Sequence, residues 1–382
     1  MKIEMDQIFV DRDLVNSELA IRAREIWGPE KVVTVDQAPL QNLEGELSPQ
    51  EFDRSKRLLH ITNFKGQFFK RCPGSKPGLT CCNYFVLNLG LQCNMNCSYC
   101  YLQSFINTPV MKVYANIDQA LSELHDIGQS AASQKLRVGT GEVIDSLSLD
   151  PFTLYSVKLI EFFKRYPNWR VEFKTKSAEV EQFVEVEHAG NVIVSWSLNP
   201  QNIIEQEEHF TASLIDRLTA ARRCLDKKFQ IAFHLDPVIW HPGWEASYSR
   251  LVKEITSRFK PNEMPYISLG ALRFQPEQRH MMRERFGMSN VLRGEMFQSR
   301  DGKLRYDQSL REEMFKKIMS WFRADSPDWK IFLCMESPES WLGAVGQGPK
   351  NQNGLGELFD HNVVRAVRES HESLESGLIS DY

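Results

Sequence analysis

The chain has 382 residues, of which 42% are apolar and 25% are charged, and its formal net charge is −4. These values are typical of a soluble globular protein long enough to bury a sizeable core, and they exclude a chain that is basic as a whole. The sequence contains no run of 18 apolar residues, so no transmembrane helix is predicted, and Met1–Gln7 is too acidic for a signal peptide. Eight cysteines without a secretory signal indicate metal or redox use in a reducing, cytoplasmic setting.

Residues 1–83 are predicted to form an N-terminal mixed α/β extension with a helix over 17–27 and a strand over 31–35. Within it, residues 54–76 carry seven Lys or Arg and no Asp or Glu. Two interpretations of this basic segment stay open, a solvated charged face or a surface that contacts phosphates beside the active site. Lys65-Gly66 is typical of a hairpin turn, and the strands it predicts are 58–62 and 67–69.

Three cysteines follow the apolar run 84–91 at the spacing C-x3-C-x2-C, namely Cys93, Cys97 and Cys100. Thiolates this close in sequence can converge on one metal centre. Three interpretations are weighed: buried core thiols, ligands of a structural zinc, and ligands of an iron–sulfur cluster with one free iron. The single C-x2-C pair disfavours zinc, because zinc ribbons and fingers usually have paired units. The open position of a three-ligand cluster suits catalysis, since a substrate or cofactor can occupy it.

From residue 84, strand-like runs alternate with helical stretches. The strands are predicted at residues 84–91, 136–139, 171–175, 192–198, 230–235 and 266–274. The helices are predicted to begin at Asn116, as a capping box, at Asp150-Pro151, at Thr211 and at Gly243. This alternation predicts a parallel sheet with helical crossovers. About six units fit residues 84–275, which favours an α/β fold with a partial (β/α)6 TIM-like barrel.

Polar residues stand where each predicted strand ends. The six strands lead, in order, to the cysteines, Glu142, Lys176, Ser197, Asp236 and Arg273. In parallel α/β barrels chemistry gathers at the carboxyl ends of the strands. Six polar clusters in register around one rim therefore predict an active site.

Two regions follow the predicted barrel. Residues 276–345 are predicted to form an Arg-rich C-terminal region that ends in one more strand, Trp329–Glu336, which brings Cys334 back to the core. Residues 346–382 are predicted to be a loop and a tail, with a short helix near 361–370 and a frayed end.

The cysteine spacing, with the aromatic Tyr99 before the third cysteine, resembles the signature of the radical S-adenosylmethionine (SAM) superfamily. The resemblance implies a [4Fe-4S] cluster whose free iron chelates the amino and carboxylate groups of SAM. It also implies that electron transfer from the cluster cleaves SAM to a 5′-deoxyadenosyl radical.

Residues 56–286 further resemble the spore photoproduct lyase family, in segments 100–103, 113–116, 172–176, 197–199, 208–211, 243–244 and 273–274. This resemblance implies a partial (β/α)6 barrel and a lyase that repairs a UV-induced thymine dimer in DNA. In such a lyase the radical removes a hydrogen from the lesion, a cysteine then donates one, and a tyrosine relays the radical back towards SAM.

Residue roles follow from the same resemblance. Cys93, Cys97 and Cys100 match the cluster ligands, and Tyr99 and Tyr101 match tyrosines near SAM and the radical path. Lys176 and Ser197 match residues that bind SAM in the family. Arg273 lies in the segment that the lyase uses close to the DNA lesion.

The sequence departs from the family pattern at two positions. Where the lyase has its hydrogen-donor cysteine, this chain has Glu142, in a context that resembles the Gly-Gly-Glu motif that binds the amino group of SAM. Asp236 stands where a small apolar residue is expected. Because a carboxylate cannot donate a hydrogen atom, another residue must do so if the reaction is that of the lyase. The candidates are Cys334, Cys72, Cys81 and Cys82.

Three functions are weighed. The first is radical SAM chemistry on a UV-damaged or modified pyrimidine in DNA, with Lys56, Lys70 and Arg273 as nucleic-acid contacts and a reductant such as flavodoxin or ferredoxin. The second keeps the chemistry and moves the substrate to RNA, a nucleotide or another small molecule. The third is a non-catalytic metal protein that binds nucleic acid. No membrane partner is expected.

Overall fold

The computed structural model describes residues 3–36, 47–106, 108–351 and 354–359. Its strands are β1 (Gln7–Asp11), β2 (Val32–Val35), β3 (Leu58–Thr62), β4 (Phe69–Arg71), β5 (Tyr84–Leu87), β6 (Gly90–Leu91), β7 (Asn96–Cys97), β8 (Met111–Tyr114), β9 (Leu136–Gly139), β10 (Trp169–Thr175), β11 (Val192–Ser197), β12 (Glu208–His209), β13 (Gln230–Val238), β14 (Ile267–Ala271), β15 (Arg273–Phe274), β16 (Met296–Gln298), β17 (Leu304–Tyr306) and β18 (Ile331–Leu333).

Its α-helices are α1 (Glu18–Trp27), α2 (Pro49–Ser55), α3 (Ile117–Ala131), α4 (Asp150–Thr153), α5 (Tyr155–Phe163), α6 (Gln201–Glu207), α7 (Leu214–Asp226), α8 (Trp244–Thr256), α9 (Gln278–Phe286), α10 (Gln308–Asp325) and α11 (Pro338–Val345). None of the helices in these ranges is long and apolar enough to cross a membrane. The predicted helix near 361–370 and the tail after it lie outside the described residues.

The largest sheet has eight strands in the order β18-β14-β13-β11-β10-β9-β5-β4. Neighbours from β5 to β18 pair in parallel, and β4 pairs antiparallel with β5. All six residues of β11 are buried, which is typical of a parallel strand covered on both faces. The predicted α/β class and partial barrel are confirmed, as a curled half-barrel that also includes the predicted late strand.

Helices cover the outer face of the half-barrel. In α7 the residues Leu214, Leu218 and Ala221 are buried at helical spacing, which seats the helix on the sheet. The predicted start of one helix, α7, is wrong. Ser213, not Thr211, caps α7, since its side chain accepts from the Asp216 amide at 3.2 Å. Helix α3 begins after Asn116 as predicted, but the predicted capping box is wrong, because the Asn116 side chain bonds to the backbone of Phe64 instead of the helix amides.

A second sheet, in the order β2-β1-β3-β8-β6, packs beside the half-barrel. It corrects the predicted hairpin at Lys65-Gly66, because β3 pairs with β1 and β8 whereas β4 pairs with β5. It also divides the predicted strand 84–91, since β5 and β6 belong to different sheets. Each of the two sheets thus contains strands from before and after the predicted boundary at residue 83. β3 pairs with β8 in one sheet, and β4 pairs with β5 in the other.

Residues 72–83, which we call the strap, run between the two edges of the half-barrel. The strap leaves β4, where the Cys72 amide donates to the Tyr84 carbonyl at 3.0 Å. It reaches the end of β18, where the Thr80 amide donates to the Glu336 carbonyl at 2.9 Å. Gly74 allows close contact there, because a Cβ on it would lie 3.1 Å from Cγ of Met335. The strap therefore bridges the open side of the half-barrel and brings cysteines to it.

Candidate active site

The three cysteines of the motif lie on one loop at the rim of the half-barrel. The centre of the loop is β7, which pairs antiparallel with β12 so that Cys97 lies opposite Glu208. Cys93 precedes this ladder, and Cys100 follows it at the start of a 3-10 turn. All three are free thiols. Residues 93–100 are called the cysteine loop below.

Side chains from two other segments hold the backbone of the cysteine loop. Gln278 is fully buried, and its Nε2 donates to the carbonyl oxygens of Tyr99 and Cys100 at 3.1 and 3.0 Å. Lys56 Nζ donates to the carbonyl oxygen of Cys93 at 3.0 Å. Because these carbonyls are occupied, the loop is fixed before any ligand binds, which a preorganised ligand set requires.

Glu208 is the central acceptor beneath Cys97. Its Oε1 accepts from the Tyr99 hydroxyl and from Asn199 Nδ2, the latter at 2.8 Å. Its Oε2 lies 2.7 Å from Nη2 of Arg217, and both side chains are fully buried. Burial raises the pKa of Glu208, but the charges of Arg217 and Lys176 outweigh this effect and lower it. Glu208 is therefore a carboxylate that fixes Tyr99 and the cysteine loop.

Lys176 provides a second positive charge beside the cysteine loop, on the side of Cys97 and Tyr99. It follows β10, and its Nζ lies 5.6 Å from the ring centroid of Tyr99. Burial lowers the pKa of Lys176, but the charges of Cys97 and Glu208 outweigh this and raise it. Thr175 pairs with Trp196, so Lys176 and the buried Ser197 leave the sheet side by side. A protonated amine and a hydroxyl thus stand together at two strand ends.

Glu142 lies on the other side of the rim, after β9. Its Oε2 accepts from Asn88 Nδ2 at 2.8 Å, and its carbonyl accepts from the Tyr101 hydroxyl at 2.9 Å. Burial raises the pKa of Glu142, against the hydrogen bond from Asn88 and the charge of Lys70. The carboxyl group is thus poised to gain from a cation placed beside it.

The lumen of the half-barrel is polar, where barrels of this type usually contain bulky aliphatic side chains. Alternate residues of β10, Glu172 among them, face the lumen. Glu172 Oε1 accepts from Ser195 Oγ at 2.7 Å and contacts His234 Nε2 at 2.8 Å. Burial raises the pKa of Glu172, but His234 and the charge of Arg137 outweigh it and lower it. This buried network forms the floor of the site.

Two thiols and an ion pair complete the rim near the strap. Arg273 and Asp236 pair at 2.9 and 3.2 Å. Cys334 is beside them, and burial raises its pKa to about 12. Cys72, whose pKa burial raises to about 11, lies within electrostatic range of both Cys334 and Tyr101. Both thiols therefore stay protonated near neutral pH.

The cysteine loop suits a cluster better than a single ion. No three His, Cys, Asp or Glu side chains in the described ranges are arranged around one metal ion. In a [4Fe-4S] cluster each cysteine binds a different iron, so its ligands stand further apart than those of one ion. The nearby charge of Lys176, which acts on Cys97, would offset the negative charge of bound thiolates. The donor set thus fits a three-cysteine iron–sulfur cluster.

A family model described as spore photoproduct lyase matches residues 16–323. The chain belongs to the spore photoproduct lyase family. This is a radical SAM family, and the resemblance of the cysteine motif to that superfamily is thereby confirmed.

The curated members of the spore photoproduct lyase family that match are distant. The spore photoproduct lyase of Geobacillus sp. is 25% identical over 205 residues, 53% of this chain and 60% of that protein. The enzyme of Bacillus subtilis is 25% identical over 232 residues, 60% of this chain and 66% of that protein. The chain therefore spans about 60 to 66% of these relatives.

Solved structures of spore photoproduct lyase share the fold. One, with bound AdoMet and dinucleoside spore photoproduct, has a TM-score of 0.75 and 20% identity, covering 87% of this chain and 99% of that one. Another, complexed with dinucleoside spore photoproduct, has a TM-score of 0.75 at 20% identity, covering 87% of this chain and 100% of that one. At this identity the likeness establishes the half-barrel.

The structure brings most of the predicted site residues to one rim. The cysteines, Tyr99, Lys176 and Ser197 lie on one side of it, and Tyr101 and Glu142 are joined by a hydrogen bond. The three predicted nucleic-acid residues have contacts within the protein. Lys56 is 4% exposed and supports the cysteine loop, Lys70 lies near Glu142, and Arg273 pairs with Asp236.

Three residues that hold the site are absent from the predicted set: Glu208, Arg217 and Gln278. Each acts through a partner remote in sequence, so local spacing gives no sign of it. The available signal for Glu208 is its position in segment 208–211, which resembles the spore photoproduct lyase family, and the structure buries this residue.

Proposed function

We propose that this chain is a radical SAM enzyme that acts on a UV-damaged or modified pyrimidine in DNA. The observation that carries the proposal is the cysteine loop itself, backed by Lys176 and Glu208 at the rim of a half-barrel in a chain of the spore photoproduct lyase family. The bound ligands of the solved relatives support it: one carries AdoMet together with dinucleoside spore photoproduct.

Cys93, Cys97 and Cys100 would hold a [4Fe-4S] cluster through three of its irons. When bound, this group supplies the electron that cleaves SAM to a 5′-deoxyadenosyl radical. A small redox protein such as flavodoxin or ferredoxin would provide the electron. The chain's part is to fix the ligands, and Gln278 and Lys56 do so through the loop carbonyls.

Two charged side chains at the rim suit the two charged ends of SAM's methionine part. The Glu142 carboxylate would accept hydrogen bonds from the ammonium, and protonated Lys176 would donate to the carboxylate. Ser197, beside Lys176, would add a hydroxyl donor. Tyr99 is oriented by Glu208, so its ring can serve as a fixed wall of the SAM site.

Cys334 would donate the hydrogen atom in place of the cysteine that Glu142 replaces. A thiol donates a hydrogen atom only while protonated, and burial keeps Cys334 in that form. In this step the substrate carbon radical forms a C–H bond as the S–H bond breaks, which leaves a thiyl radical. The thiyl radical would in turn take a hydrogen atom from the Tyr101 hydroxyl, which leaves a tyrosyl radical. Cys72 lies within electrostatic range of both Cys334 and Tyr101.

A second substrate class is favoured by two observations. The sequence resemblance aligns Glu142 with the donor cysteine of the lyase, and Lys56 and Arg273 are engaged inside the protein rather than displayed on its surface. Both are compatible with radical SAM chemistry on RNA, a free nucleotide or another small molecule.

The test is an anaerobic assay with the reconstituted protein, SAM, a reductant and an oligonucleotide that carries the spore photoproduct. Thymine and 5′-deoxyadenosine are measured together. Restored thymine is the expected result. 5′-Deoxyadenosine without restored thymine would move the chain to the second substrate class, and neither product would refute both.

A further inference from the structure

The ion pair between Asp236 and Arg273 is built into the lumen rather than exposed to solvent. The side chains are 8% and 14% exposed, and the guanidinium binds the carboxylate end-on through Nη1 and Nη2. Gly270 makes room for the pair, because a Cβ there would lie 2.6 Å from Oδ1 of Asp236 and 3.0 Å from Nη1 of Arg273. Asp236 on β13 and Gly270 on β14 thus fix the guanidinium group of Arg273 on β15.

The pair leaves part of the guanidinium unused. Arginine has five N–H donors. Nη1 donates to Asp236 and, at 3.1 Å, to the carbonyl oxygen of Ala271, and Nη2 donates once to Asp236. The two remaining donors, on Nε and Nη2, lie on the same edge, and no acceptor in the described part of the chain takes them. A free guanidinium edge of this kind binds two oxygens of a carboxylate or phosphate.

Other cations gather around Arg273. The charge of Lys174 acts on both Asp236 and Cys334. Lys303, on the β16–β17 hairpin, has its pKa lowered by burial first and then by the charge of Arg273. Acids nearby are engaged elsewhere, since Asp301 pairs with Arg305 and Glu336 with Arg311. Beside Cys334, three cations (Arg273, Lys174 and Lys303) are therefore balanced by one carboxylate, Asp236, and this excess of positive charge favours an anion.

We propose that Arg273, with Lys174 and Lys303, forms an anion subsite inside the lumen that holds a phosphate group of the substrate nucleotide beside Cys334. Asp236 is a positioning residue, which turns the free edge of Arg273 towards the ligand. The proposal rests on the proposed function for the nucleotide, and it narrows the substrate to one whose phosphate is attached to the reacting nucleoside. That phosphate is either a diester of a polymer or a monoester of a free nucleotide.

The test measures binding to the reconstituted protein by calorimetry with three probes: thymidylyl-thymidine, thymidine 5′-phosphate and thymidine. We expect a phosphate-bearing probe to bind at least tenfold more tightly than thymidine. Tighter binding of the dinucleotide would identify a diester as the ligand, and tighter binding of the monophosphate a monoester. Equal affinity for all three would overturn the subsite, whatever the outcome of the repair assay.

Variants assign the effect to the guanidinium edge. Arg273→Lys keeps the charge but loses the paired donors, so the preference for phosphate should fall several-fold while thymidine binding is unchanged. Arg258→Lys, at an exposed pair with Glu254, is the matched control. If Arg273→Lys does not fold, Lys303→Met is used instead. Because it removes one positive charge from the subsite, it should also lower the preference for phosphate-bearing probes over thymidine. A phosphate preference that survives both variants would contradict the assignment.

Discussion

Arg217 and Glu208 form an ion pair with 2.7 Å between Nη2 and Oε2, and neither side chain is exposed to solvent. Glu208 is also the residue opposite Cys97 in the β7–β12 ladder. The guanidinium group makes further bonds to the carbonyl oxygens of Ala212 and Ser197, at 2.9 and 2.8 Å. Helix α7 is thereby tied to the cysteine loop through one buried carboxylate.

Arg217→Met should destabilise the protein by about 3–5 kcal/mol, because it leaves Glu208 as a buried charge without its main partner. It should also lower the iron retained after reconstitution, since Glu208 supports the strand that carries Cys97. Urea unfolding and iron analysis measure the two effects. The control on the same helix is Arg223→Met, at an exposed pair with Glu181, which should cost less than about 1 kcal/mol. Equal losses for the two variants would refute the role of Arg217.

Gly139→Ala should destabilise the half-barrel by about 1–3 kcal/mol or more through overpacking. A Cβ on Gly139 would lie 1.6 Å from the hydroxyl oxygen of Tyr84, which is packed on the lumen floor. Thermal unfolding measures the effect. Gly348→Ala is the control, since nothing lies within 4 Å of a Cβ there. If the Gly139→Ala variant has the same melting temperature as the wild type, the lumen is not closely packed between Gly139 and Tyr84.

The affinity for SAM should fall as the pH decreases. This fall should begin at a higher pH than it would if Glu142 had the pKa of an ordinary glutamate. In the proposed site only ionised Glu142 would attract the ammonium of SAM, and burial raises the pKa of Glu142 above the usual value of about 4.3. Protonation therefore sets in earlier as the pH falls, and binding weakens in that range. Equilibrium dialysis with labelled SAM between pH 5 and pH 8 measures it. Glu142→Gln should bind SAM weakly and without this dependence; an unchanged profile would remove Glu142 from the SAM site.

Cys334→Ala should lower thymine restoration at least tenfold while 5′-deoxyadenosine still forms, because the radical is made but not quenched by a hydrogen atom. In D2O the exchanged thiol should deliver one deuterium to the repaired thymine, and mass spectrometry detects it. Cys224→Ala, a core thiol on α7, is the control and should leave both readouts unchanged. Deuterium transfer that survives in Cys334→Ala but is lost in Cys72→Ala would reassign the donor to the strap.

The sequence alone predicts the half-barrel well, because its strands are short apolar runs at regular spacing and their polar ends mark the rim. It also locates the cysteine loop, since ligand spacing is a local property. It fails where structure depends on remote pairing. The β3 and β4 runs look like a hairpin, but their partners are β1, β8 and β5, and a two-residue strand such as β12 has no periodicity to detect. The supporting contacts of Glu208 and Gln278 are missed for the same reason.

The central claim is that the cysteine loop holds a cluster that binds SAM. The most direct test is anaerobic reconstitution, followed by iron, sulfide and zinc analysis and electron paramagnetic resonance of the reduced protein with and without SAM. The account predicts about four iron and four sulfide per chain and a signal that changes when SAM is added. One zinc without iron, or a cluster whose signal is the same with and without SAM, would contradict it.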